Sequence, residues 1–302
     1  MEVDMRILVA VDQNPYSAHA VGEVARLAAN TWADVTLLGV QAKTVSKSRS
    51  RGSATALWDM DDAPLPDALR GYREDFLGYF KGEDCPYVQR EFGYELIEVR
   101  KGIWEELYVS KSAKKDLRAR IRIGNPVKEI LAESHEEDSD LIVLGCNGEN
   151  GCAWESRMMV PQKVANEASC SVLVAKKEKK VRRIVCCLDH DRVSQESLEM
   201  INQMVTLHQA KLEIVGFTGD EGLKSEVEKK MDSILKYYTA RDIEPWIELV
   251  EISSLGSFIS QEARWGLMAL WMGKKSILEK VFPRSKVNRL IRGSESSVLI
   301  LR

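Results

Sequence analysis

The chain has 302 residues, about twice the length of a domain of roughly 150 residues, so two domains are the first expectation. Apolar residues make up 44% of the chain and charged residues 29%. This balance is typical of globular proteins and excludes disordered and fibrous classes. The formal net charge of -3 gives no general attraction to nucleic acid or to an anionic membrane, and we expect neither as a partner.

The N-terminal segment and the cysteines predict a cytoplasmic protein. Residues 1–6 lack the basic and apolar segments of a signal peptide, and no apolar run approaches the roughly 20 residues that span a bilayer. No cysteines form a C-x-x-C pair, and several lie in apolar runs, which favours reduced structural thiols. A redox pair of Cys146 and Cys152 is the alternative. The six cysteines are Cys85, Cys146, Cys152, Cys170, Cys186 and Cys187.

An internal repeat relates residues 6–40 to residues 183–217. The copies begin with Arg6–Asp12 and Arg183–Asp189, and they keep the same register, without a gap, to a second strand-like run at their ends. Chance does not easily preserve register over such a length. The chain is therefore a duplication, and both copies should share one fold.

Each copy opens with a short apolar run, which predicts a strand buried on both faces. A stretch with helical spacing and a second strand follow. Strand, helix and strand in this order predict a right-handed crossover and a parallel sheet. The apolar helix positions are Ala20, Val24, Leu27 and Ala28 in the first copy, and Leu198, Ile201, Met204 and Val205 in the second.

The two copies also end alike, with a buried strand that ends in glycine, a polar loop, a helix and a last strand. These segments are Asp140–Gly145, Val160–Ala168 and Ser171–Val174 in the first copy, and Met268–Gly273, Val287–Ile291 and Ser297–Leu301 in the second.

The first copy is longer, with an inserted segment at about 43–92 that starts with a basic, serine-rich stretch. Four aromatic residues follow at helical spacing: Tyr72, Phe76, Tyr79 and Phe80. This stripe indicates the inner face of a helix packed on its own domain; a partner-binding face is the alternative. The highly charged segment 177–181 predicts a linker between domains 1–176 and 182–302.

Ligands of open parallel α/β sheets bind beyond the carboxyl ends of the strands. Asp12 ends the first strand of the chain, and the run from Gly145 to Gly151 follows a later one. Glycines let a backbone turn tightly and present N–H groups to an anion. As a bare pattern this run is more often a plain turn.

Taken together with Gly124–Pro126 and the last strand of the first copy, these segments resemble the universal stress protein family. The resemblance covers nearly all of residues 5–176 apart from the insertion, and residues 182–302 more faintly. It implies two tandem doubly wound α/β domains of the adenine nucleotide alpha hydrolase type. Each would be a roughly five-stranded parallel sheet with helices on both faces.

Family members that bind ATP use a first-strand aspartate and a glycine loop, and the resemblance carries these roles onto Asp12, Val40, Gly145 and Gly148. The end of the loop motif departs from the family. Met158–Met159 stand where the family has a glycine and a hydroxyl residue, and Pro161 lacks an N–H at the start of the next helix.

The second copy departs further from the nucleotide motif. It keeps Asp189, but after Gly273 it has lysines in place of a second glycine. Lys274, Lys275 and Lys286 could neutralise an anion, although solvated side chains are the plainer interpretation. His190, beside Asp189, is the one histidine placed for a site, and His19, His135, His190 and His208 show no metal spacing.

The sequence therefore predicts a non-catalytic stress-response or regulatory protein with a degenerate nucleotide site and an interaction with an unknown protein partner. It shows no Walker loop, H-E-x-x-H or G-x-S-x-G motif. The alternative is a regulator that holds ATP or AMP in its first domain, with slow hydrolysis. The resemblance implies a homodimer for single-domain relatives, so the predicted assembly is an intramolecular pseudo-dimer in which the last strands of the two copies meet across the interface. This pseudo-dimer could also pair with a second copy.

Overall fold

The structure, a computed structural model, describes residues 5–42, 64–80, 85–87, 96–106, 114–147, 154, 159–176, 181–188, 193–218, 225–273, 278 and 282–302. The chain divides into two compact units, residues 1–143 and 144–302. This division falls inside a strand and not at the charged segment 177–181, most of which lies outside the described residues. The domain boundaries inferred from the repeat stay a prediction.

The first unit alternates strands and helices in the predicted order. Its strands lie in the order β6-β1-β2-β5-β4-β3, and β6 extends three residues past the division of the chain. The elements are β1 (Arg6–Val11), α1 (Pro15–Thr31), β2 (Asp34–Gln41), α2 (Pro64–Gly78), β3 (Leu96–Arg100), β4 (Ile103–Glu106), β5 (Leu117–Ile123), α3 (Pro126–Glu136) and β6 (Leu141–Cys146).

Continuous burial explains why β1 is an interior strand of this sheet, between β6 and β2. Every residue after Arg6 is buried, as predicted for a strand covered on both faces, and β1 pairs in parallel with β2. Helix α1 starts at Pro15, whose fixed φ suits the first turn. The four apolar positions predicted for its inner face are all buried, so the helical periodicity is confirmed.

An antiparallel hairpin at the edge of the first sheet was not predicted. Strand β4 pairs antiparallel with β5, and β3 pairs antiparallel with β4, so this copy is more than a five-stranded parallel sheet. Helix α2, by contrast, stands between the second and third parallel strands, where the second copy also has a helix. The predicted insertion at 43–92 therefore includes an element that both copies share, while the added hairpin lies at 96–106.

Helix α2 confirms the predicted aromatic inner face in part. Tyr72, Phe76 and Phe80 are buried, whereas Tyr79 is half exposed. The α2 helix packs against α1, β2 and β5. The stripe is thus mainly a packing face of its own unit.

The second unit repeats this scaffold without the hairpin. Its strands lie in the order β10-β9-β8-β11-β12-β7, and the five from β10 to β12 are parallel, as predicted. The elements are α4 (Val160–Glu167), β7 (Ser171–Lys176), β8 (Arg183–Cys187), α5 (Gln195–His208), β9 (Lys211–Thr218), α6 (Ser225–Thr239), β10 (Trp246–Glu251), α7 (Leu255–Glu262), β11 (Leu267–Trp271), α8 (Arg284–Gly293) and β12 (Val298–Leu301).

The last strands of the two copies pair, which confirms the predicted meeting of these strands. Strands β7 and β12 run antiparallel, with Leu173 opposite Leu299. The Lys176 N–H donates to Ser297 Oγ at 3.0 Å, and an Arg302 guanidinium N–H donates to the Ala165 carbonyl at 2.6 Å. Both strands are fully buried, so each needs the other to cover its edge.

Ending the chain after residue 181 should leave the edge of β7 unpaired. We expect the remaining fragment to be unstable or to dimerise through that edge, because an exposed apolar edge strand seeks a partner. Size-exclusion chromatography with light scattering measures this. A stable monomer of residues 1–181 would contradict the role assigned to the β7–β12 pair.

Of the helices in the described part of the chain, none is long and apolar enough to span a membrane.

Candidate functional site

The candidate site of the first unit begins where β1 and β2 end. Val11 of β1 lies opposite Gly39 of β2 in the parallel register, so Asp12 and Val40 follow side by side at the carboxyl end of the sheet. Both side chains are half-buried. The structure therefore brings together two of the four residues that the sequence assigned to nucleotide binding.

The Asp12 carboxylate is already fully engaged. Its Oδ1 atom accepts the Asn14 N–H at 3.0 Å and the Ser17 hydroxyl at 2.8 Å. Its Oδ2 atom accepts the Asn14 side-chain amide at 2.6 Å and the Tyr16 hydroxyl. A carboxylate offers about four acceptor positions, so these four donors use them all. The network ties the end of β1 to the start of α1.

Tyr16 remains a donor to Asp12 under all ordinary conditions. Burial, the hydrogen bond to Asp12 and the negative charge of Asp12 together raise the pKa of the Tyr16 hydroxyl well above its usual value. The phenol therefore stays protonated near neutral pH. A ligand hydroxyl that sought Asp12 would have to displace one of these internal donors.

Helix α2 also contacts the turn between β1 and α1. The Tyr72 hydroxyl lies 2.9 Å from the Asp12 carbonyl and 3.1 Å from the Asn14 carbonyl, to which it donates. A Cβ atom added at Gly39 would lie 3.1 Å from the Leu65 side chain, so α2 packs tightly against the end of β2. The face of β2 at Gly39 is thus covered by a buried leucine.

The glycine loop after β6 is described only at its start. Gly145 is buried at the end of β6, and its carbonyl accepts the indole N–H of Trp154 at 3.0 Å. Gly148 lies outside the described residues, as does Met158. Cys146 corrects the prediction of reduced thiols, because it is disulfide-bonded. Cys85, Cys170, Cys186 and Cys187 form no disulfide.

The start of α4 combines a methionine N-cap with a proline in the first turn. Met159 occupies the N-cap in the left-handed region, with φ of 48°, and its side chain makes no capping hydrogen bond. Glycine adopts this conformation without strain, whereas a side chain costs about 1 kcal/mol. Pro161 then removes one of the first N–H groups of the helix.

The second copy fills its equivalent glycine position with an aromatic ring. The Trp271 indole lies so close to Gly273 that a Cβ atom there would be 2.3 Å from the ring. Lys286 lies on α8 and is exposed. The other candidates of this copy, Asp189, His190, Lys274 and Lys275, lie outside the described residues.

Sequence reasoning missed the tyrosines and tryptophans that contact the candidate sites of the two copies. The run from Asp12 to Pro15 carries a signal for a local turn, because Asp and Asn side chains bond the backbone two residues on. No local signal indicates that Tyr72, sixty positions away, reaches Asp12. Of the residues that the structure describes, none form a group of three or more His, Cys, Asp or Glu side chains able to hold a metal ion.

The comparisons agree with this fold. A model of the universal stress protein family matches residues 5–176. This chain therefore belongs to the universal stress protein family. Among curated proteins, none matches the chain significantly.

Three solved structures resemble the chain over nearly its whole length. A universal stress protein from Archaeoglobus fulgidus is 13% identical, covers 98% of each chain and has a TM-score of 0.55. A protein of unknown function from Pseudomonas aeruginosa is 14% identical, over 99% of this chain and 93% of that one, with a TM-score of 0.54. A universal stress protein candidate from the same species is 13% identical, over 99% and 94%, with a TM-score of 0.53. At these identities the likeness shows the fold alone.

Proposed function

We propose that the protein is a non-catalytic regulatory member of the universal stress protein family that acts in the cytoplasm through protein contacts. In this proposal its nucleotide site is degenerate. The stress-response role follows from the family, and the protein-interaction role follows from the loss of the ligand site. Both extend beyond what the fold alone establishes.

The saturated Asp12 carboxylate is the observation that carries this proposal. To bind a ribose through its hydroxyl groups, the protein needs hydrogen-bond acceptors without internal donors. The acceptor positions of Asp12 are occupied by donors of Asn14, Tyr16 and Ser17. Displacing Tyr16 would leave a buried hydroxyl to find another partner, which costs about 1–3 kcal/mol. The residues present therefore do not fit the nucleotide that the family motif implies.

The N-terminus of α4 and the Trp271 ring support the same conclusion. Phosphate binding at a helix start depends on open N–H groups. Pro161 removes one such group, and Met159 puts a thioether where the family has a hydroxyl. In the second copy, the indole of Trp271 covers Gly273, so the backbone there cannot approach a phosphate closely.

The alternative is that the first copy still holds ATP or AMP as a regulatory ligand. It is favoured by the retained pair of Asp12 and Val40, which follow adjacent strands at the same level. A nucleotide would then rearrange the tyrosine network on binding. Slow hydrolysis belongs to this alternative.

Calorimetry of the intact protein with ATP and AMP decides between the two. We expect no binding tighter than about 1 mM, which corresponds to only about 4 kcal/mol of binding free energy. The variant Asp12→Ala should bind no more weakly than the natural protein. It should nevertheless unfold about 2 kcal/mol more easily, because Tyr16 and Ser17 lose their acceptor.

The matched control is Asp140→Asn, which removes a carboxylate that accepts the Arg6 N–H at the opposite edge of the sheet. Micromolar binding of ATP or AMP that Asp12→Ala abolishes, and that Asp140→Asn leaves unchanged, would overturn the degenerate-site proposal. It would support the nucleotide-binding alternative.

A further inference from the structure

A long groove lies between α7 and α8 in the second unit. Its volume is 980 Å³. At one end, Lys286 Nζ lies 3.5 Å from the position that a Cβ of Gly256 would take. At the other end, the Ser294 hydroxyl donates to the Ala263 carbonyl at 3.0 Å. The two helices therefore run side by side, and the groove follows their length.

Basic side chains line the groove. Arg264, Lys286 and Arg289 line it, and none of the described lining residues is an Asp or Glu. Among the described residues, Arg264 and Arg289 take part in no ion pair. The last acid of α7, Glu262, is already paired with Arg183 of β8.

The positive charge of α8 contrasts with the negative net charge of the whole chain. The protein carries a net charge of -3, yet α8 has four basic residues and no acidic one in ten positions. The basic residues in its first turn also lie at the positive end of the helix dipole, and a bound anion would reduce the resulting repulsion. Positive charge concentrated along one groove attracts an acidic partner.

An aromatic side chain stands at the open end of the same groove. Trp265 follows α7 directly and is 73% exposed, next to Arg264. Tryptophan and arginine are the residues that most often dominate binding energy at protein interfaces. Serine hydroxyls at Ser257 and Ser260 add hydrogen-bonding groups between the charges.

We propose that the α7–α8 groove binds an acidic, extended segment of a partner protein that carries one apolar or aromatic side chain for Trp265. Helices of eight and ten residues are about 12 and 15 Å long, a length that about four extended residues span. The groove is open to solvent and its exposed lining side chains are mainly polar, although Phe282 and Leu290 at its base are buried, so it differs from the enclosed, mainly apolar pockets that hold small molecules. The proposal rests on the protein-interaction role above and names its surface and partner class.

Fluorescence anisotropy with a labelled five-residue peptide tests this, using four acidic residues around one phenylalanine. The intact protein should bind it, and the triple variant Arg264→Gln, Lys286→Gln, Arg289→Gln should bind at least about tenfold more weakly. The variant Trp265→Ala should also weaken binding. The matched control Arg182→Gln, Lys211→Gln, Lys229→Gln removes the same charge from exposed positions outside the groove and should change affinity by less than about threefold.

Three outcomes would overturn the proposal. The first is that the peptide does not bind at concentrations up to about 1 mM. The second is that the groove variant and the control variant lose the same amount of affinity. The third is that a ten-nucleotide oligothymidylate binds more tightly than the peptide. The last would assign the groove to single-stranded nucleic acid. None of these results depends on ATP or AMP, so failure here is distinguishable from a nucleotide-binding result.

Discussion

Replacing Glu133 with alanine should lower the free energy of unfolding of the first unit by about 3–5 kcal/mol. Glu133 lies on α3 and is completely buried. Its Oε1 atom accepts from Arg120 Nη1, and its Oε2 atom lies 3.0 Å from Arg122 Nη1. Without Glu133, two guanidinium groups that are themselves buried would lose the carboxylate between them.

This cluster exists because β5 carries arginine at alternate positions. Arg118, Arg120 and Arg122 share one face of the strand, since successive side chains point to opposite faces. The opposite face carries the buried apolar residues Leu117 and Ile121. Helix α3 therefore packs on β5 through charged groups where most helices in such folds use apolar ones.

Glu137, which also bonds Arg120, should make the first unit sensitive to acid, whereas burial raises the pKa of Glu133 and acts in the opposite direction. Burial pushes the pKa of Glu137 up, but the hydrogen bond and positive charge of Arg120 outweigh burial, and the net pKa is lowered. A carboxyl whose pKa is lower in the folded state contributes stability above its unfolded pKa of 4.5. That contribution is lost as the pH falls through the folded value.

Urea unfolding at pH 7 measures the effect of Glu133→Ala. The matched control is Glu136→Ala on the same helix, since Glu136 bonds Arg122 at 2.8 Å but its side chain is 42% exposed. We expect the control to cost less than about 1 kcal/mol, because solvent screens exposed pairs. A similar small cost for Glu133→Ala would show that the buried arginines find other partners.

Replacing Lys176 with methionine should stabilise the protein at neutral pH. Lys176 ends β7 and is buried, and among the described residues its Nζ atom has no hydrogen-bond partner. Burial lowers the pKa of this ammonium group from 10.5 to about 8. Within the described part of the chain, the folded state therefore holds a buried charge without a hydrogen-bonded partner at pH 7.

The pH dependence of this effect has a defined sign. Below pH 8 the folded and unfolded states are both protonated, and the full cost of burying the charge applies. Between pH 8 and 10.5 the unfolded state binds more protons, so stability rises with pH. The two pKa values correspond to about 3 kcal/mol, as an upper estimate.

Lys176→Met should therefore raise the free energy of unfolding by about 1–3 kcal/mol at pH 7 and by almost nothing above pH 10.5. The control Lys163→Met changes an exposed lysine on α4 and should shift stability by less than about 0.5 kcal/mol at either pH. A loss of stability in Lys176→Met at pH 7 would contradict the assignment of an unpaired ammonium group. It would indicate a partner for Nζ that stabilises the charge.

Local patterns predicted the scaffold, because each relies on neighbours in the sequence. The apolar run of β1, the helical spacing of α1 and α5 and the register of the two copies all describe buried faces, and the structure confirms them. The family resemblance, which implies a homodimer for single-domain relatives, predicted the pairing of β7 with β12. It also assigned Asp12 and Val40 to the site, and the strand register places both at the carboxyl end of the sheet.

The hairpin of β3 and β4 escaped prediction because β3 is largely exposed, β4 is mostly half-buried, and neither alternates cleanly between apolar and polar residues. The buried arginines of β5 also escaped, since charged residues at alternate positions usually indicate a solvated face, and the carboxylates that allow burial come from α3 and β4.

The sequence by itself determined that the chain is a duplicated universal stress protein scaffold with an unequal pair of nucleotide motifs. Only the tertiary structure decided what the retained Asp12 does. Its acceptors are used by Tyr16 and its loop neighbours, and Tyr72 reaches the same turn from a helix sixty positions away. A motif records which groups are present, whereas hydrogen bonds across the fold decide whether those groups are open to a ligand. The groove between α7 and α8 is likewise visible only once two helices distant in sequence lie side by side.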